Sequence, residues 1–227
     1  MLNMVKSAFG GKKILVVVAI LFIAQFVWAD ISEEIIKSVA ARDIIVTTAK
    51  ENEQGKLYTS FCNGTIIDSN LILTVRHGIE NNKSEIYWGA LNSNACEAKE
   101  DNIVKLADID IAFFKLPEKQ PLPKVNIAQD VKVGEECFVV TTISDMLNRI
   151  FLKGYVIKID EQGKIYLLIL PISAGMSGTA VYNTNGELIG VINAIILPQT
   201  IGNLVIVQVI PANNLKTMID KMGCSKK

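Results

Sequence analysis

From Ile44 onward the chain is broken every few residues by turn signals, and the runs between them are rich in β-branched and aromatic residues. Ile44–Thr48, Leu57–Phe61, Gly64–Ile67 and Leu71–Val75 come first, with Asn63-Gly64 and Asp68-Ser69-Asn70 as the breaks. Glu85–Trp88, Ile103–Leu106 and Ile109–Leu116 follow. Pro121-Leu122-Pro123 marks a boundary near the middle. Beyond it lie Val131–Thr142, Ile150–Ile159, Lys164–Leu170, Gly178–Tyr182, Leu188–Ile196 and Leu204–Val209. Glu161-Gln162-Gly163 and Asn183-Thr184-Asn185-Gly186 are turns within this second series. Many short strands with regular turns pack as an all-β sandwich or barrel. Two flanking helices are expected: Ser32–Ala41, capped by Ser32, and Pro211–Met222, with Pro211 in its first turn and Gly223 as its stop.

Half of the 227 residues are hydrophobic, enough for a sizeable core. Lys plus Arg and Asp plus Glu both number 23, so the formal charge is zero and an electrostatic nucleic-acid binder is disfavoured. Lys6, Lys12 and Lys13 precede the apolar stretch Ile14–Ala24, and Val27-Trp28-Ala29 stands before Asp30. Residues 1–29 therefore read as a signal peptide, with an uncleaved anchor as the alternative. Either reading places the body outside the cytoplasm, periplasmic or secreted, with any membrane link confined to this segment. Cys62, Cys96, Cys137 and Cys224 have no metal-site spacing, so no metal or other cofactor is expected. In an exported chain disulfides are expected instead. Of the three possible pairings we favour Cys62–Cys96, which would tie down the segments flanking His77.

His77 is the only histidine, and it closes the apolar run Leu71-Ile72-Leu73-Thr74-Val75-Arg76. Any chemistry that needs an imidazole proton shuttle must use it. Asp110 follows in Asp108-Ile109-Asp110-Ile111-Ala112, and Ser177 in Gly175-Met176-Ser177-Gly178. A structural histidine at a strand end and an ordinary turn serine are the competing readings. Alone, Gly-x-Ser-Gly arises by chance in roughly one chain in ten of this size. The order His, Asp, Ser on a β-rich chain carries more. An α/β-hydrolase needs its histidine after the serine and a glycine where this chain has Thr179.

These motifs resemble those of trypsin-fold serine proteases, specifically the HtrA-like branch. Gly64 through His77 resembles that branch's strand pair leading to the histidine. Asp110-Ile111-Ala112 matches its Asp-Ile-Ala motif, and Gly175–Gly178 its Gly-Asn-Ser-Gly. Asn185–Ile192 resembles the hairpin after the serine, and Val209-Ile210-Pro211 the terminal Ile-Pro-helix segment. The resemblance spans about residues 43–220. It implies two six-stranded β-barrels with the active site at their seam: lobe 1 at 43–120, lobe 2 at 121–210 and a helix at 211–222, within a domain 43–224 after a helical lead-in at 30–42. It covers the protease portion, and no PDZ domain is expected.

The roles implied are those of a serine endopeptidase acting on polypeptides. His77 takes the Ser177 proton, Asp110 orients the imidazole, and the N–H groups of Gly175 and Ser177 form an oxyanion hole. The Ile-Ala after Asp110 selects it over Asp108, which then reads as a solvated acid; Arg76 reads as a surface cation. Pro171, Ile172, Asn193, Ala194 and Ile195 are expected to line the P1 pocket, and Asn193 to hydrogen-bond Asp110. With no acid among them, small or medium aliphatic P1 residues are expected. The chain departs from the family at Thr179, where glycine is usual. It also has Met176 where digestive relatives carry an acid that pairs with a newly cut N-terminus. Activation by such a cut is therefore not expected. The alternative reading is an inactive trypsin fold that binds peptides or proteins.

Overall fold

The computed structural model describes residues 31–51, 54, 56–79, 85–90, 95–143, 148–196 and 205–223. The expected leader and Cys224 lie outside these residues.

Alternation marks two strands of the second half, 165–169 and 206–211. Ile165, Leu167 and Ile169 point inward while Tyr166 and Leu168 are half-exposed, and period-two burial is what a strand with one wet face requires. Six strands close into a barrel there. They are numbered after the seven of the first sheet: β8 (Glu136–Ile143), β9 (Asn148–Ile159), β10 (Ile165–Ile169), β11 (Ala180–Asn183), β12 (Leu188–Ile196) and β13 (Ile206–Pro211), in the order β10-β13-β12-β11-β8-β9. Its core includes Val139, Val156, Leu167, Val181, Ile192, Val207 and Val209. Gly163 and Gly186 take the positive φ that the β9–β10 and β11–β12 turns require.

The first half is a curled seven-stranded sheet in the order β5-β4-β1-β2-β3-β7-β6. Its strands are β1 (Asp43–Glu51), β2 (Leu57–Asp68), β3 (Leu71–Thr74), β4 (Glu85–Gly89), β5 (Cys96–Glu97), β6 (Ile103–Lys105) and β7 (Ala112–Lys115). The two-lobed all-β architecture is thus as expected, with closure into a six-stranded barrel in the second lobe only, among the described residues. Helix α1 (Glu33–Ala40) precedes the sheets. At the C-terminus Pro211 ends β13 rather than opening a helix. A 3-10 turn, Ala212–Leu215, intervenes before α2 (Lys216–Gly223), because Pro211 still stands in strand register opposite Gly190.

Two other expectations are corrected. Asn63-Gly64 is not a turn: β2 runs straight through it, with Asn63 opposite Ile45 and Gly64 between Ile44 and Thr74. Cys62 and Cys96 are both free, as is Cys137. Cys62 faces Val46, Val46 faces Trp88, and Trp88 faces Cys96. Three strand spacings separate them, about 14 Å, twice the reach of a disulfide.

The seam between the lobes is polar. Asp43, from β1, is buried; its carboxylate accepts from Thr142 Oγ1 at 2.8 Å and Arg149 Nε at 3.3 Å in the barrel. Thr65 Oγ1 and Tyr182 Oη lie 3.1 Å apart. Burial pushes the Asp43 carboxyl up to about 6, against the pull of Thr142 and Arg149. The neutral acid is therefore favoured by folding. Its contribution is fully present below the unfolded pKa of about 4 and is lost as pH rises through about 6. We expect the stability difference between wild type and Asp43→Asn to change by about 3 kcal/mol across that window, wild type weakening as pH rises. Urea unfolding of both proteins at about pH 4 and about pH 7 measures it. Parallel profiles would refute the assignment.

Candidate active site

His77 is delivered by β3, all four residues of which are buried. β3 pairs with β7 in the register Thr74–Ala112. Counting outward by two on each antiparallel strand sets Arg76 opposite Asp110, and the Arg76 N–H does point at the Asp110 carbonyl, 3.4 Å away. A 3-10 turn, His77–Ile79, then swings the imidazole over the acid. Asp110 Oδ2 lies 2.6 Å from His77 Nδ1, and Oδ1 accepts the His77 backbone N–H at 2.9 Å. A carboxylate can only accept, so the neutral imidazole carries its proton on Nδ1 and presents a bare Nε2. The ring is 45% exposed and the acid 26%, so Nε2 is open to a reacting group. Asp108 is exposed. Arg76 is not a free surface cation: Nη1 donates to the carbonyls of Leu106 and Ala107 at 2.7 and 2.6 Å, bracing the loop that carries Asp110.

Ser177 sits in the turn that leads from β10 into β11. Gly175 and Gly178 on either side have φ of +90° and +87°. Met176 is buried in the barrel core, and its sulfur accepts the Ser173 N–H at 3.4 Å. Burying such a side chain contributes about 1.5–3 kcal/mol, so an apolar plug stands where an acid is found in digestive relatives. The Gly178 N–H donates to Ile192 O at 2.8 Å, which fixes the turn to β12. Thr179 is accommodated because its hydroxyl, buried, finds Thr141 Oγ1 at 2.7 Å. Among the described residues neither the Gly175 nor the Ser177 N–H has a hydrogen-bond partner.

The serine turn and the histidine strand meet through β2. The Asn63 N–H donates to Ser177 O at 2.7 Å, and Asn63 O accepts from Thr74 Oγ1 at 2.6 Å. Cys62 lies under the histidine turn: a Cβ on Gly78 would stand 2.4 Å from its sulfur. Burial, opposed by the Thr74 hydroxyl and reinforced by Asp110, pushes the Cys62 thiol up to about 11. It is therefore an unreactive packing group beside the pair.

Of the expected pocket residues, Pro171 is exposed and Ile172 packs against the barrel core. Asn193, Ala194 and Ile195 follow Ile192 along β12, with Ile195 40% exposed. Asn193 makes no bond to Asp110, whose oxygens are taken by His77. Asn193 Oδ1 is buried with no hydrogen-bond partner. Asn63 is the site residue that sequence reasoning missed. The only signal for it was a dipeptide that reads as a turn.

Two comparisons bear on this arrangement. Residues 62–191 match the family model of the trypsin-like peptidase domain. The chain is also 30% identical over 190 residues, 77% of its length, to a probable periplasmic serine endoprotease DegP-like protein of Buchnera aphidicola subsp. Baizongia pistaciae (strain Bp). It spans 39% of that relative's length. The matched segment begins at Cys62, takes in the His77–Asp110 pair and the Gly175–Gly178 turn, and runs into β12. The chain belongs to the trypsin-like peptidase family.

Proposed function

We propose that the chain is an exported serine endopeptidase that cleaves polypeptides through an acyl-enzyme. The observation that carries this reading is the two-point grip of Asp110 on His77, which leaves Nε2 as the only open base. Ser177 Oγ attacks the scissile carbonyl carbon while Nε2 takes its proton, and the resulting imidazolium is stabilised by Asp110. The carbonyl oxygen becomes an oxyanion in reach of the two N–H groups of Gly175 and Ser177. Collapse breaks the C–N bond, and the departing amine takes the proton from His77. Water then attacks the ester with His77 again as base, which releases the acid and restores the serine. The leader-like N-terminus and the periplasmic relative support export.

Pro171, Ile172, Asn193, Ala194 and Ile195 would contact the P1 side chain, and their lack of charge favours aliphatic P1 residues. The test is labelling with a fluorophosphonate probe, followed by cleavage of a peptide library. Labelling of wild type but not of Ser177→Ala, with aliphatic P1 residues enriched, is expected. Folded wild type that takes no label would favour the inactive binding module. Enrichment of Arg or Lys at P1 would reject the pocket assignment.

A further inference from the structure

Asn63 is 1% exposed, and its side-chain amide and backbone N–H are committed across the seam. Its Nδ2 donates to Gly175 O at 2.7 Å and to Thr142 O at 3.1 Å, and its Oδ1 faces the Thr142 N–H at 3.4 Å. The partners are backbone groups of fixed polarity, so the amide can sit only one way round. Its own N–H holds Ser177 O, and its own carbonyl is held by Thr74. The carbonyls of Gly175 and Ser177 are thus both tied to one residue of the other lobe. They are the carbonyls of the two residues whose N–H groups are unpartnered.

We propose that Asn63 is a positioning residue that holds the Gly175–Ser177 segment in the oxyanion-binding conformation. This rests on the proposed function above. Rotating the Gly175–Met176 peptide would strip the Asn63 amide of a partner in a buried site, where an unmet donor is costly. The turn has no charged lock at Met176, which is an apolar plug. The peptide groups on either side of Met176 are held within the turn, by the Thr179 N–H donating to Met176 O at 3.0 Å and by the Met176 N–H donating to Ser173 O at 3.4 Å. Asn63 adds a hold from the other lobe on the two flanking carbonyls, Gly175 O and Ser177 O, and it does so without any cut in the chain, since all its partners are already in place. Donors set before the reaction need no reorganisation when the charge develops, which is the basis of their effect.

Asn63→Asp and Asn63→Ser separate this role from packing. Aspartate keeps the size and the acceptor facing Thr142 but cannot, when ionised, donate to Gly175 O. Serine removes the reach altogether. For both, kcat on a peptide substrate is expected to fall about 100-fold, comparable to losing one oxyanion donor. KM should stay within about threefold, and affinity for a peptidyl boronate, whose adduct is tetrahedral, should fall in parallel with kcat. A kcat within about twofold of wild type in either folded variant, or a loss confined to KM, would overturn the proposal. If neither variant folds, hydrogen exchange of the Asn63 side-chain amide in wild type decides: slow exchange is expected, and fast exchange overturns. Wild type that takes no fluorophosphonate label sinks the proposed function itself, whereas wild type that labels and a variant that labels equally fast sinks only the role of Asn63.

Discussion

His77→Ala should lower kcat for peptide hydrolysis by about 10⁶-fold, the scale seen when one member of a serine–histidine unit is removed. No second histidine exists in the 227 residues to take over. The same change should leave stability almost untouched. The imidazole is 45% exposed, and Asp110 at 26% can take water in its place, so the lost pair should cost no more than about 1 kcal/mol. Activity and stability are thereby separated in one variant. Steady-state hydrolysis of a chromogenic peptide and urea unfolding measure the two. Activity within about tenfold of wild type would end the His77 assignment. A loss of several kcal/mol would show instead that the turn around His77 is structural.

Gly178→Ala should be the most damaging alanine substitution among the described glycines. A Cβ there would stand 1.8 Å from Asn63 O and 2.8 Å from Thr74 Oγ1, and the residue has φ +87°. Backbone on one side and a committed hydroxyl on the other leave nothing to yield. Positive φ costs about 1–2 kcal/mol for an alanine, and forced overpacking about 1–3 kcal/mol more, giving about 3–5 kcal/mol in all. Gly134→Ala supplies the control. It has φ +88° with nothing within 4 Å of the added carbon, so it carries the backbone term alone, about 1–2 kcal/mol. Urea midpoints of the two variants isolate the clash. Equal losses would mean that the serine turn does not press on Asn63 in solution.

Legibility followed the range of the physics. Strand identity was readable because β-branched runs bounded by turn residues are a property of neighbours in sequence, and so were the Gly163 and Gly186 turns. The pairing of His77 with Asp110 was readable only through family resemblance. Thirty-three residues separate them, and the Thr74–Ala112 register brings them together. Asn63-Gly64 misled because its local turn preference is real but small. Bonds from Asn63 to Thr142 and Gly175, 79 and 112 residues away, outweigh it. The Cys62–Cys96 pairing failed on geometry that spacing along the chain does not contain, and Pro211 was read as a helix start because its role as the last residue of β13 depends on Gly190.

Sequence alone determined that this chain is all-β, that one imidazole is available, and that a serine lies in a glycine-flanked turn. Those are composition and nearest-neighbour properties, set by backbone freedom and side-chain period. Tertiary structure decided which carboxylate meets the imidazole, which nitrogen stays bare, and what restrains the serine turn. Each of those depends on hydrogen bonds between residues far apart in sequence: the His77–Asp110 pair is brought together by strand register within the first lobe, and the Asn63 bonds form in a buried seam, where an unmet partner is costly, only once the lobes pack.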